Sequence, residues 1–119
     1  MWRAVLWVGF FLTAGGAAAV ETTQGAGAVL RGLDKFGGRV QDIDMVNGAS
    51  AAFGRLQIEL VECRYPVGNA TSEGYAYLRI LEGDNPEPIY SGWMIASSPA
   101  LNPLDHARYD VWLLRCNIK

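Results

Sequence analysis

Apolar and polar residues alternate with period two along Arg55–Leu60: Leu56, Ile58 and Leu60 fall on one face, Arg55, Gln57 and Glu59 on the other. This alternation predicts a strand over Phe53–Arg64 with one wet side. Val61 and Cys63 fall on the opposite parity from Leu60, so either a bulge re-aims the strand near Leu60 or both of its faces are covered there. Further strands are predicted at Val29–Lys35, Arg39–Val46, Tyr75–Leu81, Ile89–Ala96 and Tyr109–Cys116. Phe36-Gly37-Gly38, Asn47-Gly48, the stretch Tyr65–Ser72 and the two-proline turn Glu82–Pro88 separate them with turn chemistry. In the last run Trp112, Leu114 and Cys116 share one parity, which predicts Trp112 buried beside Cys116. Tyr109, Val111 and Leu113 make the other side apolar too, as in a central strand. No stretch carries a helical period of adequate length. The expectation is an all-β fold, a small antiparallel β-sandwich or partly open barrel of about six strands.

The N-terminus follows another pattern. Arg3 precedes the apolar run Ala4–Leu12, and Thr13–Ala19 supplies small residues with Ala17 and Ala19 in A-x-A spacing. This predicts a secretory signal peptide over residues 1–19, cleaved before Val20; the alternative is an uncleaved membrane anchor. Residues 20–28 are rich in Gly, Ala and Thr without an apolar period and read as a flexible leader. A single domain is expected over residues 29–119, in the periplasm.

Export changes the meaning of the cysteines. An oxidising compartment favours pairing Cys63 with Cys116. The chain has no C-x-x-C pair, and its single histidine cannot complete a zinc set. Without Arg3, 9 Lys and Arg stand against 12 Asp and Glu, a net charge of −3. The charges are scattered, with no basic stripe to drive binding to nucleic acid or anionic lipid.

The stretch Ser91–Cys116 holds His106 with serines and aspartates close in sequence. A serine hydrolase would use Ser97 or Ser98 as nucleophile, His106 as base and Asp105 or Asp110 to orient it. The G-x-S-x-G elbow is absent, and Ser97-Ser98-Pro99 has the composition of a turn whose hydroxyls bond local backbone. No complete catalytic motif is present, and a non-enzymatic role is expected. The carboxylate pairs Asp42/Asp44, Glu59/Glu62 and Glu82/Asp84 read as solvated faces. No metal site is expected, because none of these pairs sits in an oxygen-rich loop, and no cofactor is expected, because no Gly-rich turn precedes a helix to cradle a phosphate. Trp93 and Trp112 flank a loop framed by Pro99 and Pro103. They are either core or part of an exposed aromatic patch. Trp93, Ser98, Leu101 and His106 are the candidate partner contacts.

Three blocks carry a family resemblance: Leu30-Arg31-Gly32-Leu33-Asp34-Lys35 with Gly38-Arg39-Val40; Phe53-Gly54-Arg55-Leu56 leading to Cys63; and Ser91-Gly92-Trp93-Met94, Ala96–Leu101, Tyr109-Asp110-Val111-Trp112 and Cys116. They resemble domain of unknown function 2155, a family of small exported alphaproteobacterial proteins, over nearly the whole chain after the signal. The resemblance implies no established activity. It implies a companion of an inner-membrane assembly such as respiratory complex I. The resulting expectation is a periplasmic domain that acts by protein binding. The alternatives are a cell-wall or carbohydrate-binding module and a small envelope serine hydrolase.

Overall fold

The computed structural model describes residues 21–119. The signal peptide expected over residues 1–19 lies outside them. Eight strands follow in order: β1 (Thr22–Gln24), β2 (Gly27–Asp34), β3 (Arg39–Val46), β4 (Ser50–Phe53), β5 (Leu56–Pro66), β6 (Tyr75–Glu82), β7 (Tyr90–Ile95) and β8 (Tyr109–Asn117). They form two antiparallel sheets, one ordered β1-β5-β6-β7 with β4 also on β5, the other ordered β3-β2-β8. The sheets pack face to face and the barrel is not closed. Leu30, Ile43, Val111 and Leu113 of the second sheet meet Leu56, Ile58, Leu78 and Ile80 of the first in one buried core. The fold is an all-β sandwich, as the alternation predicts.

Two bulges determine how the sandwich is stapled. On β5, Leu60 lies opposite Leu78 and Glu62 opposite Tyr77, which leaves Val61 as the extra residue. Val61 is 45% exposed and Cys63 is fully buried, so the bulge near Leu60 is the alternative realised. On β8, Leu113 lies opposite Leu30 and Arg115 opposite Val29, which leaves Leu114 extra. Each cysteine therefore sits three residues beyond a core leucine, at a spacing that a regular strand would point outward. The two shifts turn both inward, and Cys63 and Cys116 form a disulfide between the sheets, with Cα atoms 5.6 Å apart. The same shift corrects the placement of Trp112. It faces outward and is half-buried, because the bulge separates its parity from that of Cys116.

Two further differences have backbone causes. The alternation predicts one strand over Phe53–Arg64, but the chain reverses at Gly54-Arg55, with Phe53 paired to Leu56. Gly54 takes φ +58° and is the one turn residue with positive φ, as in a type II′ hairpin turn. The segment read as a flexible leader contains β1, paired from Thr22 opposite Pro66 to Gln24 opposite Arg64, and the start of β2. Strand pairing uses backbone groups and needs no apolar period. Between β1 and β2 the chain crosses from sheet to sheet, the Gly25 N–H donating to the Cys63 carbonyl (2.7 Å) and the Ala26 N–H to the Asn117 carbonyl (2.9 Å).

Candidate binding surface

The inward residues of β6, Ala76, Leu78 and Ile80, are fully buried, so Tyr75, Tyr77 and Arg79 project from the opposite face. Cross-strand pairing sets Trp93 of β7 beside Tyr77, and Arg64 of β5 beside Tyr75. Trp93 and Tyr77 meet edge to face, with ring centroids 5.3 Å apart. Trp93 is nonetheless 41% exposed. An open groove of about 290 Å³ runs between Thr22, Arg64, Tyr75 and Trp93. The Arg64 guanidinium donates to the Thr22 hydroxyl (2.9 Å), the Thr22 carbonyl (3.2 Å) and the Glu62 carboxylate (3.0 Å). It is thereby held as part of the wall rather than left as a free bidentate fork.

The loop from Ala96 to Arg108 is tied down along its length. The Glu73 carboxylate accepts the Ser97 N–H (2.9 Å), the Gly74 N–H (3.0 Å) and the Ser97 hydroxyl. Burial opposes ionisation of Glu73, but these donors outweigh it and hold the carboxyl below its ordinary range. Ser98 is partly buried; its N–H donates to the Ile95 carbonyl (3.1 Å), and its hydroxyl lies 3.5 Å from that of Ser97. The Asn102 side chain donates to the Trp93 carbonyl (3.1 Å), and the Asn102 backbone carbonyl accepts the Tyr90 hydroxyl (2.7 Å). Leu104 plugs into the core, while Leu101 is 71% exposed at the crest.

His106 closes the far end of the loop. Its Nδ1 accepts two backbone N–H groups, from Arg108 (3.0 Å) and Tyr109 (3.1 Å). The proton of the neutral ring therefore sits on Nε2, 2.9 Å from the Glu82 carboxylate. Beside it the Arg108 guanidinium grips Asp34 through Nε (3.1 Å) and Nη2 (3.0 Å) and lies over the rings of Phe36 and Tyr109. Both ring nitrogens of His106 are thus committed to holding the loop, and the Ser97 hydroxyl is committed to Glu73.

Of the four candidate contacts, Trp93 and Leu101 are exposed, Ser98 is partly buried in a turn, and His106 is an anchor. The carboxylates of β3 are also engaged: Asp42 with Arg31 (2.7 and 3.1 Å) and Asp44 with the Asn117 side chain (2.7 Å). Sequence reasoning missed Tyr75, Tyr77, Arg64 and Thr22. The tyrosines carried a signal, since both fall on the polar parity of their strand, opposite Ala76, Leu78 and Ile80.

Residues 28–116 match the family model described as "Uncharacterized protein conserved in bacteria (DUF2155)". The chain belongs to this family. Its DUF2155 region takes in both cysteines, both bulges, the whole proline-framed loop and every residue of the groove except Thr22. The chain is also similar to the "Uncharacterized protein RP359" of Rickettsia prowazekii (strain Madrid E), with 25% identity over 87 residues, 71% of this chain and 56% of that protein. The chain thus spans little more than half the length of that relative. No solved structure matches it.

Proposed function

We propose that this DUF2155 chain is an exported binding domain that docks a protein partner on the outer face of its first sheet, in the periplasm and at an inner-membrane assembly such as respiratory complex I. The observation that carries the reading is the exposed Trp93, set edge-on against Tyr77 and bordering a groove with Tyr75 and Arg64. Tryptophan, tyrosine and arginine are the residues that dominate binding energy at protein interfaces. With Arg64 occupied by Thr22 and Glu62, the groove favours an apolar side chain over a sugar that must have its hydroxyls oriented. The Cys63–Cys116 disulfide suits an oxidising compartment.

The test is recovery of the tagged protein from its own membranes in mild detergent, read by mass spectrometry beside the Trp93→Ala variant and an unrelated exported protein. Respiratory complex I subunits enriched with the wild type, and lost with Trp93→Ala while its thermal unfolding stays unchanged, is the expected result. Equal enrichment by the folded variant would remove Trp93 from the interface. Enrichment of wall polymer alone would favour the cell-wall or carbohydrate-binding alternative.

A further inference from the structure

The other side of the proline-framed loop carries a second groove, distinct from the one beside Trp93. It is about 390 Å³ in volume and is lined by Pro99, Ala100, Pro103, Asp110 and Trp112. Asp110 and Trp112 stand two residues apart on β8 and share its outward parity. Asp110 lies opposite Leu33, which offers it no charge. Among the described residues its carboxylate takes part in no ion pair. Arg31, the cross-strand neighbour of Trp112, is already committed to Asp42 at 2.7 Å. The loop supplies prolines, which have no N–H, and an alanine. The groove therefore joins a half-exposed indole to a carboxylate, and among the described residues its lining contains no cation.

Charge decides what such a groove takes. A cation between the two gains from the indole quadrupole and from the carboxylate together. An anion meets repulsion, and an apolar side chain strips water from Asp110 without replacing its hydrogen bonds. We propose that this groove receives a lysine or arginine side chain of a partner polypeptide, seated on Trp112 against Asp110. A basic partner segment also matches the chain's net charge of −2. The proposal does not depend on the Trp93 face, since the two grooves share no lining residue.

The test uses the exported protein, ¹⁵N-labelled and purified from its host, with the indole N–H signals assigned by Trp93→Phe and Trp112→Phe. Tetralysine amide is titrated in, with tetraglutamate as the control. The expected result is a saturable shift of the Trp112 signal with tetralysine at millimolar concentration, absent with tetraglutamate and weakened by salt. Asp110→Asn should weaken it by about fivefold or more. Asp84→Asn, which removes the same charge from an exposed turn, should leave it unchanged. No Trp112 shift up to about 10 mM tetralysine, a shift confined to Trp93, or equal weakening by Asp84→Asn would each overturn the proposal. Neither variant removes a side chain that hydrogen-bonds among the described residues, and an unchanged amide spectrum confirms the fold of each.

Discussion

The hydroxyl of Tyr109, at the start of β8, accepts the backbone N–H of Arg55 in the β4–β5 turn at 3.1 Å, across 54 residues of chain. Its ring meets Phe53 edge to face at 5.8 Å, and a Cβ on Gly54 would collide with its hydroxyl. The Cys63–Cys116 disulfide joins the same two strands, β5 and β8, toward their other ends. The start of β8 is therefore tied to the turn before β5 by a hydrogen bond, and its end to β5 covalently.

Tyr109→Phe keeps the packing and removes the acceptor, leaving a part-buried N–H without its partner. The expected loss is about 1–2 kcal/mol, or roughly 4–8 °C in Tm for each kcal/mol in a domain of this size. Gly54→Ala should cost more, because a positive φ and a collision act together. Thermal unfolding of both variants checks the order; a Gly54→Ala variant as stable as the wild type would contradict the clamp.

Replacing Cys63 and Cys116 together by alanine should remove a substantial fraction of the stability of the domain. The bond closes a loop with a sequence separation of 53, for which the chain-entropy model gives about 4 kcal/mol. Total stability is typically about 5–15 kcal/mol. Urea unfolding of the double variant, and of the wild type with and without reductant, measures the difference.

Strand alternation at Leu60 and Val61 predicts opposite outcomes at adjacent positions, and the burial of Cys63 reports the bulge itself. Val61 projects into solvent, so Val61→Ser should change stability by no more than about 0.5 kcal/mol. Leu60 is 1% exposed, and Leu60→Ala should cost about 2–5 kcal/mol. A strand without the bulge would leave Val61 outside as well, but would put Cys63 outside with it, and the disulfide would then fail to form in oxidised protein.

Acid sensitivity should follow the surface carboxylates. Hydrogen bonds from Arg108 hold Asp34 below its ordinary range, against the opposing effect of burial and with help from the Phe36 N–H. Arg31 does the same for Asp42. A carboxylate whose folded pKa is depressed contributes stability that is fully present above its unfolded value of about 3.9 and is lost as pH falls through the folded value. Asp34→Asn with Asp42→Asn should lower Tm near neutral pH and flatten its decline below about pH 4. A decline as steep as that of the wild type would show that other groups govern acid unfolding.

Period-two alternation was enough to make the chain all-β and to place Tyr75–Leu81 on a strand, because burial of one face of a strand is written directly into residue order. The two cysteines in an exported chain were enough to expect their pairing. The sequence alone left open what happens at Leu60, put Trp112 on the wrong side of β8, and hid the turn at Gly54 inside an unbroken run. A bulge is a decision about register, and register depends on the partner strand: Leu78 and Tyr77 set the shift at Val61, Leu30 and Val29 the one at Leu114. Trp93 was legible as a contact residue, but its groove was not, since Thr22, Arg64 and Tyr75 come from three strands that only pairing brings together. His106 was legible only as a residue type. Its role as an anchor required the backbone of Arg108 and Tyr109 on one side and Glu82 of a distant strand on the other. The sequence by itself determined that each strand has a face to bury; the tertiary structure decided which way β5 and β8 turn, and so which residues that face carries, because a bulge forms only against a neighbouring strand.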